Sequence, residues 1–334
     1  MFSKIYEKVV KFIKTEWKFL LFLIAFALFT NLRLPYLIEA PGGSIGLEDR
    51  VEIDGAYKAD GSFSMAYVTM VRGTPASLLV GALRSDWDII KYDDVTLENE
   101  DYEESLNRDK LYLKEAIANA TIAAYREAGK YLEIKSANNE VVYISSEANT
   151  SLELDDKILY VNGERCNTLD EMREVIKDMN AGDLVDFIVL RDDKEVEASA
   201  TLYDTSDGVK VGIITITNYE YESDPRIEVT FKESESGPSG GLMTALEIYN
   251  QLTPDDLTDG RNIIGTGTID VNGNVGDIGG VKYKLAGAVK EDAEVFLCPM
   301  GNLEEALSVK EKFDYNIDVV GVATLKEAIE YLKG

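Results

Sequence analysis

The 334-residue sequence contains no histidine, and this absence excludes much hydrolytic chemistry. A Ser-His-Asp triad, a Cys-His dyad and a histidine-ligated zinc are ruled out within the chain. Any hydrolytic base must be a lysine, a carboxylate or a terminal amine. Cysteine is almost as scarce. Cys166 and Cys298 stand far apart, make no CxxC pair and offer no metal cluster, and no disulfide is expected between them. Basic residues number 34 against 61 acidic ones, for a net charge of -27. A phosphate backbone needs a basic face, so nucleic acid is excluded as a partner. No GxxxxGK[ST] occurs, which removes an ATPase motor, and "DVNGNVGD" lacks the glycine and glutamate of a calcium loop. No cofactor and no metal are expected.

Long apolar runs are also few. "FLLFLIAFALFT", Phe19 to Thr30, follows a stretch holding Lys4, Lys8, Lys11, Lys14 and Lys18. Twelve residues are short for a span, which takes about twenty. Extending the run over Trp17 and past Asn31 to Pro35, with Lys18 and Arg33 snorkelling, gives a signal anchor. No small-x-small site follows, which favours an anchor over a cleaved signal peptide. The reading for residues 1–36 is therefore a cytoplasmic tail and one transmembrane helix in a lipid bilayer. Everything beyond would lie outside the cell membrane.

Beyond the anchor, "GSFSMAYVTMV" alternates as a strand. Leu113, Ile117, Ala120 and Ala124 mark one helix face in a stretch that stops at Gly129. A compact unit at 131–203 follows: the strand "EVVYISS", a second strand "KILYVNGERC" turning at Asn162-Gly163, and a helix whose capping box is Thr168 to Glu171. "LVDFIVLRDDKEVEASATL" closes the unit as a hairpin. The pattern "DDKILYVNGERC … LRDDKEV" resembles a PDZ domain over Glu133 to Leu202. No obvious glycine signature marks the loop that would grip a peptide carboxylate.

The last third, 204–334, alternates strands and helices with glycine-rich corners, as an α+β or α/β domain does. One corner is sharp. In "FKESESGPSGGLMTALEIYN" a strand breaks at Gly-Pro-Ser-Gly-Gly and restarts as a helix, leaving Ser239 on the bend. Taken alone, Ser239 reads as a helix cap, the commoner role for such a serine. With histidine absent, the usual single-residue partner of a nucleophilic serine is lysine. "GTGTIDVNGNVGDIGGVKYKLAGA" leads into a helix carrying Lys282 and Lys284, which flank an apolar stripe, and periodicity does not choose between them.

The ordered pattern "GPSGGLM … GTGTI … GNVGDIGGVKYK" resembles the peptidase domain of Lon-type proteases, from about Val209 to Leu332. The resemblance implies Ser239 as nucleophile and Lys284 as base, with Thr266 as a supporting hydrogen-bond partner of the amine. Thr266 also reads as an ordinary strand threonine. Gly240 stands where the family usually has alanine, which should loosen the turn. Ser236 stands where Lon proteases with a motor often carry aspartate. Anchor, "PYLIEAPGG", PDZ-like unit and Lon-like tail, in that order, resemble the membrane-anchored PDZ/Lon proteases of Gram-positive bacteria.

The expected function is an ATP-independent Ser-Lys endopeptidase that cuts exported peptides or membrane-protein segments. The alternative is a surface adaptor with an inert Lon-like domain. Lon-type peptidase domains tend to form hexameric rings, so the resemblance leaves a homo-oligomer open. The elements at 37–130 resemble the opening of a Lon peptidase domain, so the PDZ-like unit is expected as an insertion. The lysine must lose its proton near neutral pH, which requires burial to prevail over an acidic chain.

Overall fold

The computed structural model describes residues 2–98, 100, 102–205 and 208–334, and of residues 2–4 and 7–9 the backbone alone. Met1 and the charges of Lys4 and Lys8 thus lie outside the described residues. Helix α1 runs Phe2–Asn31, with non-helical geometry at Glu16. Among the described residues no helix is long and apolar enough to cross a membrane. This corrects the expected transmembrane helix, and the reason is length. The helix stops at Asn31, so the extension to Pro35 does not form. The uncharged run Phe19–Thr30 supplies about 18 Å of helix against a hydrocarbon core of about 30 Å. Lys18, Glu16 and Lys14 interrupt it on the other side.

Strands β1 (Tyr36–Gly46), β2 (Val51–Ile53) and β3 (Ser62–Arg72) follow, then α2 (Pro75–Ala82), β4 (Asp88–Lys91) and the long α3 (Tyr102–Glu127). α3 ends before Gly129, whose φ of +62° is the left-handed conformation that terminates a helix. Of the face that the spacing marks it buries Leu113, Ala120 and Ala124, with Ile117 half-buried.

The chain then makes an excursion. β5 (Tyr131–Ile144), β6 (Lys157–Val161), α4 (Leu169–Ile176), β7 (Leu184–Arg191) and β8 (Lys194–Thr201) are closed by β9 (Ile213–Asp224). The sheet order is β9-β5-β6-β7-β8, with Asn149–Thr150 at the far edge. Asn162-Gly163 and Asp192-Asp193 all have positive φ, as two-residue hairpin turns require. Thr168 and Glu171 form the expected capping box. Asp156, buried, takes a bidentate pair from Arg191 at 2.7 and 2.6 Å. That pair links the two halves of the "DDKILYVNG … LRDDK" pattern. β9 pairs with β5 along its length, so the β-unit's sheet runs on to Asp224 and past the expected boundary at 203.

The remainder supplies β10 (Ile227–Val229), α5 (Gly241–Leu252), β11 (Asn262–Gly265), α6 (Val281–Lys290), β12 (Val295–Pro299), α7 (Leu303–Phe313), β13 (Asp318–Val322) and α8 (Leu325–Lys333). β10 pairs with β2. The main sheet has the order β13-β12-β11-β3-β1-β4, so strands from before and after the excursion share one sheet. β11 runs parallel to β3, whereas β1 and β4 are antiparallel additions at one edge. Every residue of α5 is buried, and its polar members are hydrogen-bonded there: Gln251 donates to Glu247 at 2.7 Å and Asn250 accepts Leu257 N–H at 2.7 Å. Cys166 and Cys298 are free and buried, one in the core of each sheet system.

Candidate active site

Ser239 sits in a short 3-10 turn, Pro238–Gly240, that leads into α5. Gly237 opens the turn at φ +92°, a conformation that costs glycine nothing. Pro238 presets the next φ and has no N–H to satisfy. The capping role does not materialise. The residue preceding α5 is Gly240, and no side chain caps that helix. Ser239 is instead anchored through its backbone. Its carbonyl accepts Gly267 N–H at 2.7 Å and the Thr266 hydroxyl at 3.0 Å, while Leu242 N–H donates to Gly267 O at 3.0 Å. These bonds fix the corner and leave the Ser239 hydroxyl out of the scaffold.

Gly240 has a more specific role than loosening the turn. A Cβ there would lie 2.3 Å from Met65 Sδ on β3. The methionine fills the space a side chain would need. Gly240→Ala is therefore expected to slow any chemistry at Ser239 several-fold, and Met65→Ala in the same chain should recover part of the loss. Steady-state cleavage by the single and double variants measures the coupling.

Lys284 lies one turn into α6 and is 5% exposed. Its Nζ donates to Thr266 Oγ1 at 3.1 Å. Burial alone holds the amine down to about 8. Thr266 is fully buried, and its N–H donates to Leu297 O at 2.9 Å, so β12 fixes its position. The structure thus brings the three residues named from sequence together: Lys284 donates to the Thr266 hydroxyl, and that hydroxyl donates to the Ser239 carbonyl. Ser239 and Lys284 also line one cavity of about 460 Å³, with Tyr67, Met70, Thr268 and Gly280. Lys282 points elsewhere and pairs with Asp88 at 2.7 Å. The packing of α6 thus turns Lys284 into the cavity and Lys282 toward β4.

Two family models match. Residues 132–202 match the PDZ domain, and residues 226–333 match the Lon protease (S16) C-terminal proteolytic domain. Lon protease 2 of Borreliella burgdorferi is 29% identical over 118 residues, 34% of this chain and 15% of that protein. Lon protease of Campylobacter jejuni is 32% identical over 98 residues, 29% of this chain and 12% of that protein. Lon protease homolog 2, peroxisomal, of Caenorhabditis elegans is 32% identical over 96 residues, 29% of this chain and 12% of that protein. The chain therefore spans only a small part of the length of these relatives.

The Lon-type region holds one residue whose role the sequence did not disclose. Asn302 stands at the cap position of α7 but makes no capping bond. Its side chain instead clamps Ile278, accepting the N–H at 2.9 Å and donating to the carbonyl at 3.0 Å. Ile278 belongs to the loop that carries Gly279 and Gly280 along the cavity into α6. An asparagine before an apolar helix looks like a cap in any sequence, and only the fold brings the loop to it.

Proposed function

We propose that this chain is an ATP-independent Ser-Lys endopeptidase. The observation that carries the reading is the buried Lys284 amine, held by Thr266 on the wall of a cavity that Ser239 also lines. In its neutral form the amine takes the Ser239 proton as Oγ attacks a peptide carbonyl. The developing oxyanion meets the Ser239 N–H at the start of the turn, where helix amides have no partner within the helix. The ammonium then gives its proton to the leaving amine, and a water activated by the same lysine releases the acyl group.

The sheet supplies the means of holding a peptide. β11 pairs with β3 only over Ser62–Met65. Tyr67, Val68 and Met70 continue beyond that contact and line the cavity. An extended substrate would add to this free edge and present its carbonyl to Ser239. A second cavity of about 640 Å³, bounded by Ser44, Ile45, Lys232 and Ser236, adjoins Ser239 on another side, so bound chain has room both before and after the scissile bond.

The test is cleavage of an unfolded polypeptide by the full chain. Products should form without ATP and at an unchanged rate in a chelator, and a peptide boronate should block the reaction by adding to Ser239. Strict dependence on ATP or on a metal would overturn the reading.

We further propose that α1 seats the enzyme at the surface of a lipid bilayer. Support comes from exposed side chains along the apolar run, among them Phe19, Phe22, Ile24 and Phe26. Such an unpartnered apolar surface is costly in water.

A further inference from the structure

Resting on the Ser-Lys reading, we propose that a backbone-to-backbone contact between α6 and β1, made by Gly287 with Gly42 and Gly43, sets the protonation state of Lys284. These glycines are positioning residues and touch no substrate. β1 carries an irregularity between Pro41 and Ser44, where its register against β3 shifts. At that point the strand has no side chain to hold a helix off. A Cβ on Gly42 would lie 2.1 Å from Tyr67 O, so no other residue fits without moving the sheet. On the facing helix, a Cβ on Gly287 would meet Gly42 C and Gly43 N at 3.3 Å each. α6 therefore rests its backbone directly on the strand.

Lys284 lies three residues before Gly287, on the same side of the helix. The depth to which α6 sinks is thus the depth at which the Lys284 amine is buried. Electrostatics leaves few other determinants. The carboxylates that share the cavity are Glu39 on β1, Asp109 on α3 and Asp277 before α6. Lys282 and Tyr283, its neighbours on α6, are engaged by Asp88 on β4. None of these charges contributes to the lowered Lys284 pKa, which burial alone produces. A helix raised by a few tenths of an ångström admits water to the amine, and that solvation brings the ammonium back.

The test is Gly287→Ala in the full chain. Alanine is the better helix former, which offsets part of the overpacking cost, so the variant should fold. Carbon-labelled lysine NMR, with the Lys284 signal assigned by its loss in Lys284→Gln, reads the amine directly. In Gly287→Ala that signal should titrate roughly half a pH unit higher than in the parent, and cleavage at pH 7 should fall about threefold as the neutral fraction shrinks. An unchanged Lys284 titration in Gly287→Ala would overturn the inference while leaving the Ser-Lys reading intact. A Lys284→Gln chain that still cleaves peptides would overturn that reading, and the inference with it.

Discussion

Ser239→Ala should reduce peptide cleavage by at least about a thousandfold while the chain remains folded. The expectation rests on how the corner is built. Every hydrogen bond recorded at Ser239 uses its backbone, so removing Oγ leaves Gly267, Thr266 and α5 where they are. Lys284→Ala should cost nearly as much, because on the proposed Ser-Lys reading hydroxyl and amine act as one unit. Lys282→Ala provides the contrast. It breaks a part-exposed pair with Asp88 and should leave turnover within a few-fold. Circular dichroism and rates on a quenched peptide decide among these outcomes. If Ser239→Ala cleaves like the parent, the nucleophile lies elsewhere. If the parent is as inactive as the three variants on every peptide and protein offered, the inert-adaptor alternative takes the place of the peptidase.

Much of this site can be read from the sequence because local chemistry and function coincide there. Gly237, Pro238 and Gly240 announce a bend, the missing histidine leaves lysine as the usual partner, and ordered motifs name Ser239, Lys284 and Thr266. The β-excursion is legible for a similar reason: Asn162-Gly163 and Thr168 to Glu171 specify a turn and a helix start within a few residues. What sequence does not carry is contact across the fold. Nothing near Gly240 announces that Met65, 175 positions earlier, will fill its empty Cβ site. Nothing near Asn302 says that it serves Ile278 and not its own helix. β9 reads as the start of the last domain, yet its hydrogen bonds go to β5. The membrane-spanning helix is missing on a different ground: a span needs the apolar run to continue beyond Asn31, where the backbone leaves the helix.

The amine that makes Lys284 useful should also make the fold less stable than it could be. An unfolded lysine titrates near 10.4, whereas burial holds Lys284 down to about 8 in the folded chain. Below about 8 both states carry the proton, and the folded state bears the full cost of a buried ammonium. Between about 8 and 10.4 the unfolded chain still holds a proton that the folded chain has released, so stability rises with pH across that window. Above it the cost is gone. At 1.36 kcal/mol per pH unit the difference is on the order of 3 kcal/mol. Lys284→Met keeps the apolar stem and removes the charge. It should therefore be more stable than the parent by up to that amount at pH 7, with the gain vanishing near pH 10.5. Urea unfolding of both chains at the two pH values measures it, and because only the difference is read, titrations elsewhere in the chain cancel. The same proton governs activity with the opposite value. Parent turnover should rise roughly tenfold between pH 7 and pH 9 as the neutral amine goes from about a tenth to about nine tenths of the population, while Lys284→Met stays inactive throughout. A parent rate flat across that range, with no stability gain in Lys284→Met at pH 7, would mean that the buried amine carries no proton at neutral pH and that the base is not poised as described.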